Sequence, residues 1–226
     1  ILMIRPVSFR YNEATAVNNY YQKNLAEISM QEIHQRAVSE FDALVACLKD
    51  NGINVIVVDD TKSYDTPDSI FPNNWVSFHV DGTVVLYPMY AKNRRNERRE
   101  DILDILTNSY GFKIAEVKDF SILEQDEKFL EGTGSMVLDR KNRICYAAIS
   151  IRTHKQAVIK FCKEFNYKPI CFTANQNVGN DRMNIYHTNV MMCVADNFVV
   201  ICLDSIDKES ERKHVLETLI NTGKEI

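Results

Sequence analysis

The sequence has no CxxC pair, no Gly/Ser-rich stretch, no block of like charge and no apolar run near the length of a membrane span. Each absence removes a class of protein. Cys47, Cys145, Cys162, Cys171, Cys193 and Cys202 sit among apolar neighbours with no ligand-like spacing, which argues for small buried hydrophobes in a reducing cytoplasm and against a disulfide framework or a zinc site. His34, His79, His154 and His214 share no metal-like spacing either, so no metal and no other cofactor is expected. A formal net charge of −4 with both signs interspersed gives neither nucleic acid nor an anionic membrane a footing. A spanning helix needs about 18 or more consecutive apolar residues, and the opening Ile1-Leu2-Met3-Ile4-Arg5-Pro6 lacks the layout of a signal peptide. A cytoplasmic protein is the expectation. Five prolines and seven glycines are spread along the chain without marking a linker, so one domain over residues 1–226 is expected.

What is present is a repeated order of elements. Residues Gln35–Asn51 carry Val38, Phe41, Leu44, Val45 and Leu48 at helical spacing; Gly52 then ends the helix and Ile53–Val58 is a β-branched run. The same helix, stop and strand recur in Arg99–Tyr110 with Phe112–Val117, in Lys155–Phe165 with Lys168–Phe172, and in Lys208–Asn221 with Gly223. Three hairpins are predicted, around Asp81-Gly82-Thr83, Arg140–Asn142 and Asp196-Asn197, where short polar turns join apolar strands. Each hairpin follows a polar cluster: Phe71-Pro72-Asn73-Asn74, Leu130-Glu131-Gly132-Thr133-Gly134 and Tyr186-His187-Thr188-Asn189, recurring at roughly 56–57 residues. Units in a closed radial array bring equivalent loops to one end of the axis, so the repetition predicts a shared pocket.

The clusters contain chemistry as well as turns. A lone histidine at the start of an apolar strand is ordinarily a satisfied structural residue. A carboxylate at the equivalent point of the neighbouring unit changes that, because Glu131 would fix the imidazole tautomer of His187 and raise its pKa, as a general acid/base requires. Gly132-Thr133-Gly134 admits close approach of backbone to a ligand. The run Asp68 to Trp75 packs hydrogen-bonding groups and the only tryptophan into eight residues, which favours binding over a plain turn and makes Asp68, Phe71 and Asn74 candidate ligand contacts. Arg152 follows a strand and precedes a helix, a place suited to clamping a carboxylate bidentately. Arg95 lies in a charge run, Asn93–Glu100, and most such runs are solvated helix faces; it is kept as a candidate ligand contact.

Together these motifs resemble the arginine deiminase, dimethylarginine dimethylaminohydrolase and amidinotransferase superfamily, whose members carry Glu-Gly-Gly, then His-x-Asp, then a Gly-rich motif with a cysteine. Phe71-Pro72-Asn73-Asn74, Glu131-Gly132-Thr133 and His187-Thr188-Asn189 stand in that order, and Ser150-Ile151-Arg152-Thr153 is similar to the family's Ser-x-Arg-Thr. Arg5-Pro6-Val7-Ser8-Phe9 and Thr15-Ala16-Val17-Asn18-Asn19 resemble a bacterial branch of amidinotransferase-like, citrulline-utilising hydrolases. The resemblance implies an α/β fold, a pseudo-symmetric five-bladed α/β propeller of ββαβ-type units, and a cysteine-dependent hydrolase of the ureido or guanidino group of a citrulline- or arginine-like amino acid. It implies His187 as general acid and then base, Glu131 as its orienting partner, and Arg152 on the substrate α-carboxylate. No organic cofactor is implied, the partner is a small amino acid, and a homodimer is compatible with this reading.

Two departures follow. None of the six cysteines comes after a Gly-Gly run, so the nucleophile is expected beyond a last unit that is incomplete here. Asn74 and Asn189 stand where arginine-processing relatives place aspartates. An amide offers both a donor and an acceptor to a neutral ureido group, whereas an unpaired buried cation is costly; citrulline or a related ureido acid is therefore expected over arginine. The alternatives are an arginine or methylarginine deiminase, an amidinotransferase, or a non-catalytic amino-acid-binding module if the chain ends at Ile226.

Overall fold

The computed structural model describes residues 1–24 and 27–226. Contacts divide the chain into two compact units, one formed by Ile1–Val84 with Ala91–Lys118 and the other by Val85–Tyr90 with Asp119–Ile226.

In the first unit, β1 (Leu2–Arg5) is followed by a single turn of helix, α1 (Glu13–Ala16), and then by α2 (Met30–Asp50), which leads back to β2 (Ile56–Asp59). β1 and β2 pair in parallel from Leu2 with Ile56 to Arg5 with Asp59, as a strand returning through a helical crossover must. α2 starts five residues earlier than the apolar spacing predicts. The cause is a cap: the Ser29 side chain accepts a hydrogen bond from the Glu32 N–H, and Ser-x-x-Glu is a helix-start signal that needs no apolar face. β3 (Val76–Phe78) and β4 (Thr83–Leu86) form the first predicted hairpin, and after α3 (Glu100–Tyr110) the chain adds β5 (Glu116–Asp119), giving the order β3-β4-β5. Gly82 in its turn has φ of +83°, and a Cβ there would lie 2.9 Å from the Lys113 carbonyl; only glycine meets both demands. The unit boundary falls within β4.

The second unit holds α4 (Gly132–Ser135), β6 (Val137–Asp139), β7 (Ile144–Ala148), α5 (Lys155–Phe165) and β8 (Lys168–Phe172). β6 runs antiparallel to β7, and β7 parallel to β8, so this segment has the ββαβ order inferred from the sequence. β7 is buried from end to end. Ile144, Tyr146 and Ala148 point into one apolar cluster with Val215 and Leu219, while Cys145 and Ala147 point into another with Ala157, Val158 and Phe161 of α5. That is the period-two alternation of a strand covered on both faces. Next come β9 (Asn175–Val178) and β10 (Asp181–Asn184), an antiparallel hairpin absent from the predicted elements. Its residues are half-exposed or exposed, so it carries no apolar alternation for a sequence reading to detect. β11 (Met192–Val194) and β12 (Val199–Ile201) form the last predicted hairpin, α6 (Glu209–Ile220) follows, and Glu225 bridges Phe198 in parallel.

Among the described residues the strands form five separate sheets of two or three strands. No helix among them is long and apolar enough to cross a membrane.

Candidate active site

Each unit contains a buried polar cluster. In the second, Glu131 is fully buried just before α4. Such a carboxylate costs several kcal/mol unless donors surround it. They are supplied from three segments. The Tyr90 N–H donates to Oε1 at 3.0 Å, His187 Nε2 lies 2.8 Å from Oε2, and Arg152 Nη1 is 3.5 Å from the same oxygen. His187 is 4% exposed and Arg152 2%. The Arg152 guanidinium also lies 4.7 Å from the centre of the Tyr186 ring, a cation–π distance, and the Tyr186 and His187 rings are themselves 4.7 Å apart.

Two hydroxyls knit these segments. Ser135 Oγ accepts from the Glu131 N–H and donates to the Arg152 carbonyl, both at 2.9 Å. Thr188 Oγ1 donates to the Ser135 carbonyl at 2.5 Å and accepts from the Ala148 N–H at 2.8 Å. The loops bearing Glu131, Arg152 and His187 are thereby fixed to α4 and to the end of β7. Chemically, a buried carboxylate bound to an imidazole nitrogen orients the ring and stabilises its protonated form, leaving the other nitrogen as the proton-carrying end.

The first unit's cluster is built on Arg94. Its Nε and Nη2 each donate to Glu97 at 2.8 Å, Nη1 donates to Asn74 Oδ1 at 2.9 Å, and Nε lies 3.7 Å from Asp68 Oδ2. Arg94, Glu97, Asn74 and Asp68 are all buried. Asp68 Oδ2 also accepts from Asn12 Nδ2 at 2.8 Å and Thr15 Oγ1 at 3.0 Å, and Asn12 Oδ1 takes a further bond from Asn93 Nδ2 at 2.9 Å.

Of the residues singled out in the sequence, His187, Glu131 and Arg152 come together in one unit, and Asn74 and Asp68 meet on Arg94 in the other. The Arg152 guanidinium, expected on a substrate carboxylate, lies against Glu131. Phe71 is 45% exposed. Asn189 is exposed on the 3-10 turn Thr188–Val190, and Arg95 is half-buried beside Arg94. The residues missed were Arg94, Glu97, Asn12, Thr15, Ser135 and Thr188. A signal existed for one pair only: Arg94 and Glu97 stand three apart in the charge run, the spacing of facing partners on a helical turn. Among the described residues no group of three or more histidine, cysteine or carboxylate side chains is placed to hold a metal ion. Cys145 and Cys162 are buried in the apolar cluster beneath α5, with Cys171 packed against it. Burial pushes the Cys171 thiol up to about 11.

A family model described as N,N dimethylarginine dimethylhydrolase, eukaryotic, matches residues 5–226. No curated protein sequence matches at a significant level. Among solved structures, apo ArgZ, an arginine dihydrolase from the ornithine-ammonia cycle in cyanobacteria, gives a TM-score of 0.72 at 19% identity, over 100% of this chain and 30% of that one. The N-terminal domain of ArgZ, as a mutant bound to substrate, gives 0.71 at 21% identity, over 100% and 73%. A dimethylarginine dimethylaminohydrolase carrying an adduct with 4-chloro-2-hydroxymethylpyridine gives 0.59 at 14% identity, over 94% and 73%. The chain thus spans under a third of full-length ArgZ and about three quarters of its N-terminal domain. At these identities the likeness shows a shared mixed α/β fold.

Proposed function

The chain belongs to the N,N dimethylarginine dimethylhydrolase family, and from that premise we propose that it is part of a C–N hydrolase acting on the ureido or guanidino group of a citrulline- or arginine-like amino acid. The observation that carries this reading is the buried contact of 2.8 Å between His187 Nε2 and Glu131 Oε2. Family membership supplies the reaction class; the pair supplies a proton carrier held in one orientation.

In this reading a cysteine thiolate attacks the central carbon and the C–N bond breaks as His187 delivers a proton to the departing amine. His187 then takes a proton from water as the water attacks the thiol-bound carbon, and the thiolate is released. Glu131 holds the ring and balances its charge through both steps. The thiolate belongs to the Gly-rich motif of the resemblance, which residues 1–226 do not contain. Arg152 serves the substrate carboxylate, and Asp68, Phe71, Asn74, Arg95 and Asn189 remain the candidate substrate contacts. The repeated ββαβ order supports a five-bladed α/β propeller as the architecture of the whole.

Asparagine at positions 74 and 189 favours a ureido substrate, because an amide can pair with a neutral carbonyl and cannot neutralise a guanidinium. A second reading, hydrolysis of arginine through to ornithine, is favoured by the likeness to the cyanobacterial arginine dihydrolase. The full-length protein incubated with citrulline and, separately, with arginine distinguishes the two. Ornithine from citrulline, with kcat/KM well above that for arginine, supports the first; ornithine and ammonia from arginine as the better substrate supports the second. Citrulline accumulating from arginine would identify a deiminase, and no turnover of either compound would point to a binding module.

A further inference from the structure

A glutamate carboxylate has only a broad intrinsic preference for rotation about its last side-chain bond, so the plane of a buried one is set by what bonds to it. For Glu131, Oε2 meets His187 and Oε1 accepts from the Tyr90 N–H at 3.0 Å. Where that N–H points is decided one peptide earlier. The peptide unit joining Pro88 to Met89 is held at both ends: its carbonyl accepts from the Leu130 N–H at 3.1 Å, and its N–H donates to Glu124 Oε1 at 2.8 Å. Only the φ and ψ of Met89 separate this plane from the one bearing the Tyr90 N–H, and Met89 is fully buried. The Tyr90 ring is braced as well, edge-on to Phe129 at 5.4 Å. Glu124 stands on the 3-10 turn Ser121–Asp126. Its acidic neighbours Asp126 and Glu127 are exposed, whereas Glu124 is half-buried and accepts a charge-assisted bond from backbone.

We propose that Glu124 is a positioning residue for the proton carrier: by pinning the peptide unit before Met89 it aims the Tyr90 N–H at Glu131 Oε1, and so fixes the plane in which Oε2 meets His187. All of these groups lie in the second unit. Without Glu124 the peptide unit loses the tie at its N–H end and can tilt about the Leu130 bond, carrying the Tyr90 N–H off its line. A misplacement of about 1 Å passed on to the imidazole is enough to slow chemistry by about 10²-fold. What the segment needs from position 124 is an acceptor that reaches the Met89 N–H. The inference rests on the hydrolase reading above, in which His187 moves the protons.

The test uses the full-length protein well below its melting temperature, with whichever of citrulline and arginine it hydrolyses faster. Glu124→Ala is expected to lower kcat about 10- to 100-fold while KM stays within about twofold. Glu124→Gln keeps a carbonyl that can accept from the Met89 N–H and is expected to restore most of that kcat. A tie that served stability alone would lower the melting temperature and leave the kcat of the folded enzyme as it was. In 15N-labelled protein the Tyr90 amide proton, drawn downfield by its bond to a carboxylate, is expected to move upfield in Glu124→Ala and to stay in place in Glu124→Gln. An unchanged kcat in Glu124→Ala, a loss of kcat that glutamine does not restore, or a Tyr90 amide that does not move overturns the proposal. If Glu124→Ala does not fold, Glu124→Asp, one methylene short of the Met89 N–H, takes its place with the same expectations. If the wild-type protein turns over neither compound, the hydrolase reading fails, and the Tyr90 amide still decides whether Glu124 aims it.

Discussion

The two buried polar clusters are built in opposite senses. In the first unit the hub is a cation: Arg94 donates to Glu97, to Asn74 and toward Asp68. In the second the hub is an anion, with Glu131 accepting from Tyr90 and His187 and lying beside Arg152. The difference decides what each cluster can do. An arginine surrounded by carboxylates and amides contains no group whose ordinary pKa lies near neutrality, so it holds its charges and acts as a frame. A carboxylate that meets an imidazole has a partner able to gain or lose a proton at physiological pH. One cluster holds fixed charges; the other contains a group that can take up and release a proton.

The sharpest way to break this contrast is to remove the titrating partner. His187→Ala in the full-length protein should lower kcat by about 10²–10⁴-fold, the range contributed by a positioned acid/base, as read from initial rates. A loss under tenfold would reduce the second cluster to a frame like the first. In the first unit the corresponding test is stability. Arg94→Met removes the guanidinium that donates to the buried Glu97 through two nitrogens at 2.8 Å and should cost about 3 kcal/mol, measured as a lowered urea midpoint; a cost under about 1 kcal/mol would mean that the first cluster is not a buried ionic frame at all.

How much of this was legible beforehand differs between the two clusters for a physical reason. The Glu131–His187 pair could be anticipated because a repeat places equivalent loops in equivalent positions, whatever the side chains are. Arg94 could not. In the run Asn93–Glu100 every residue is polar, so no apolar periodicity marks the arginine that turns inward, and the three-residue spacing of Arg94 and Glu97 was the one weak signal that separated Arg94 from Arg95. The same limit explains the elements. β7 and α5 announce themselves by apolar periodicity, whereas β9 and β10 bury neither face and are defined by backbone pairing alone. The capping hydroxyl at Ser29 was visible in principle; the bridging hydroxyls at Ser135 and Thr188 depend on partners at positions 148 and 152, which only folding supplies.

Those bridging hydroxyls give a smaller test. Ser135→Ala removes the hydroxyl shared by the Glu131 N–H and the Arg152 carbonyl, which keep only their direct bond of 3.3 Å, and should cost about 1 kcal/mol, with kcat falling as His187 loses its fixed setting. A drop in stability with kcat unchanged would separate the scaffold from the chemistry. The smallest effect belongs to a surface pair in the first unit. Arg10 grips Asp65 at 2.7 and 2.6 Å, but the Asp65 side chain is 61% exposed, so Asp65→Asn should change stability by under about 1 kcal/mol after solvent screening. The Arg10 hydrogen bond holds the Asp65 carboxyl below its usual range. Its contribution is therefore full above the ordinary carboxylate pKa and lost as pH falls through the lowered value. Thermal melts of both proteins between neutral pH and pH 3 should converge at the acid end.

The hairpin β9–β10 lies one short step before His187, joined to it through Ile185 and Tyr186. It is tied by Arg182 to Asp207 at 2.6 Å and to the Asp204 carbonyl at 2.9 Å, and its outer residues face solvent. A ribbon with no buried face tolerates alteration at its tip. A fluorophore or spin label at Asn180 would therefore sit in solvent a short way along the chain from the imidazole and mark this end of the unit without touching the chemistry.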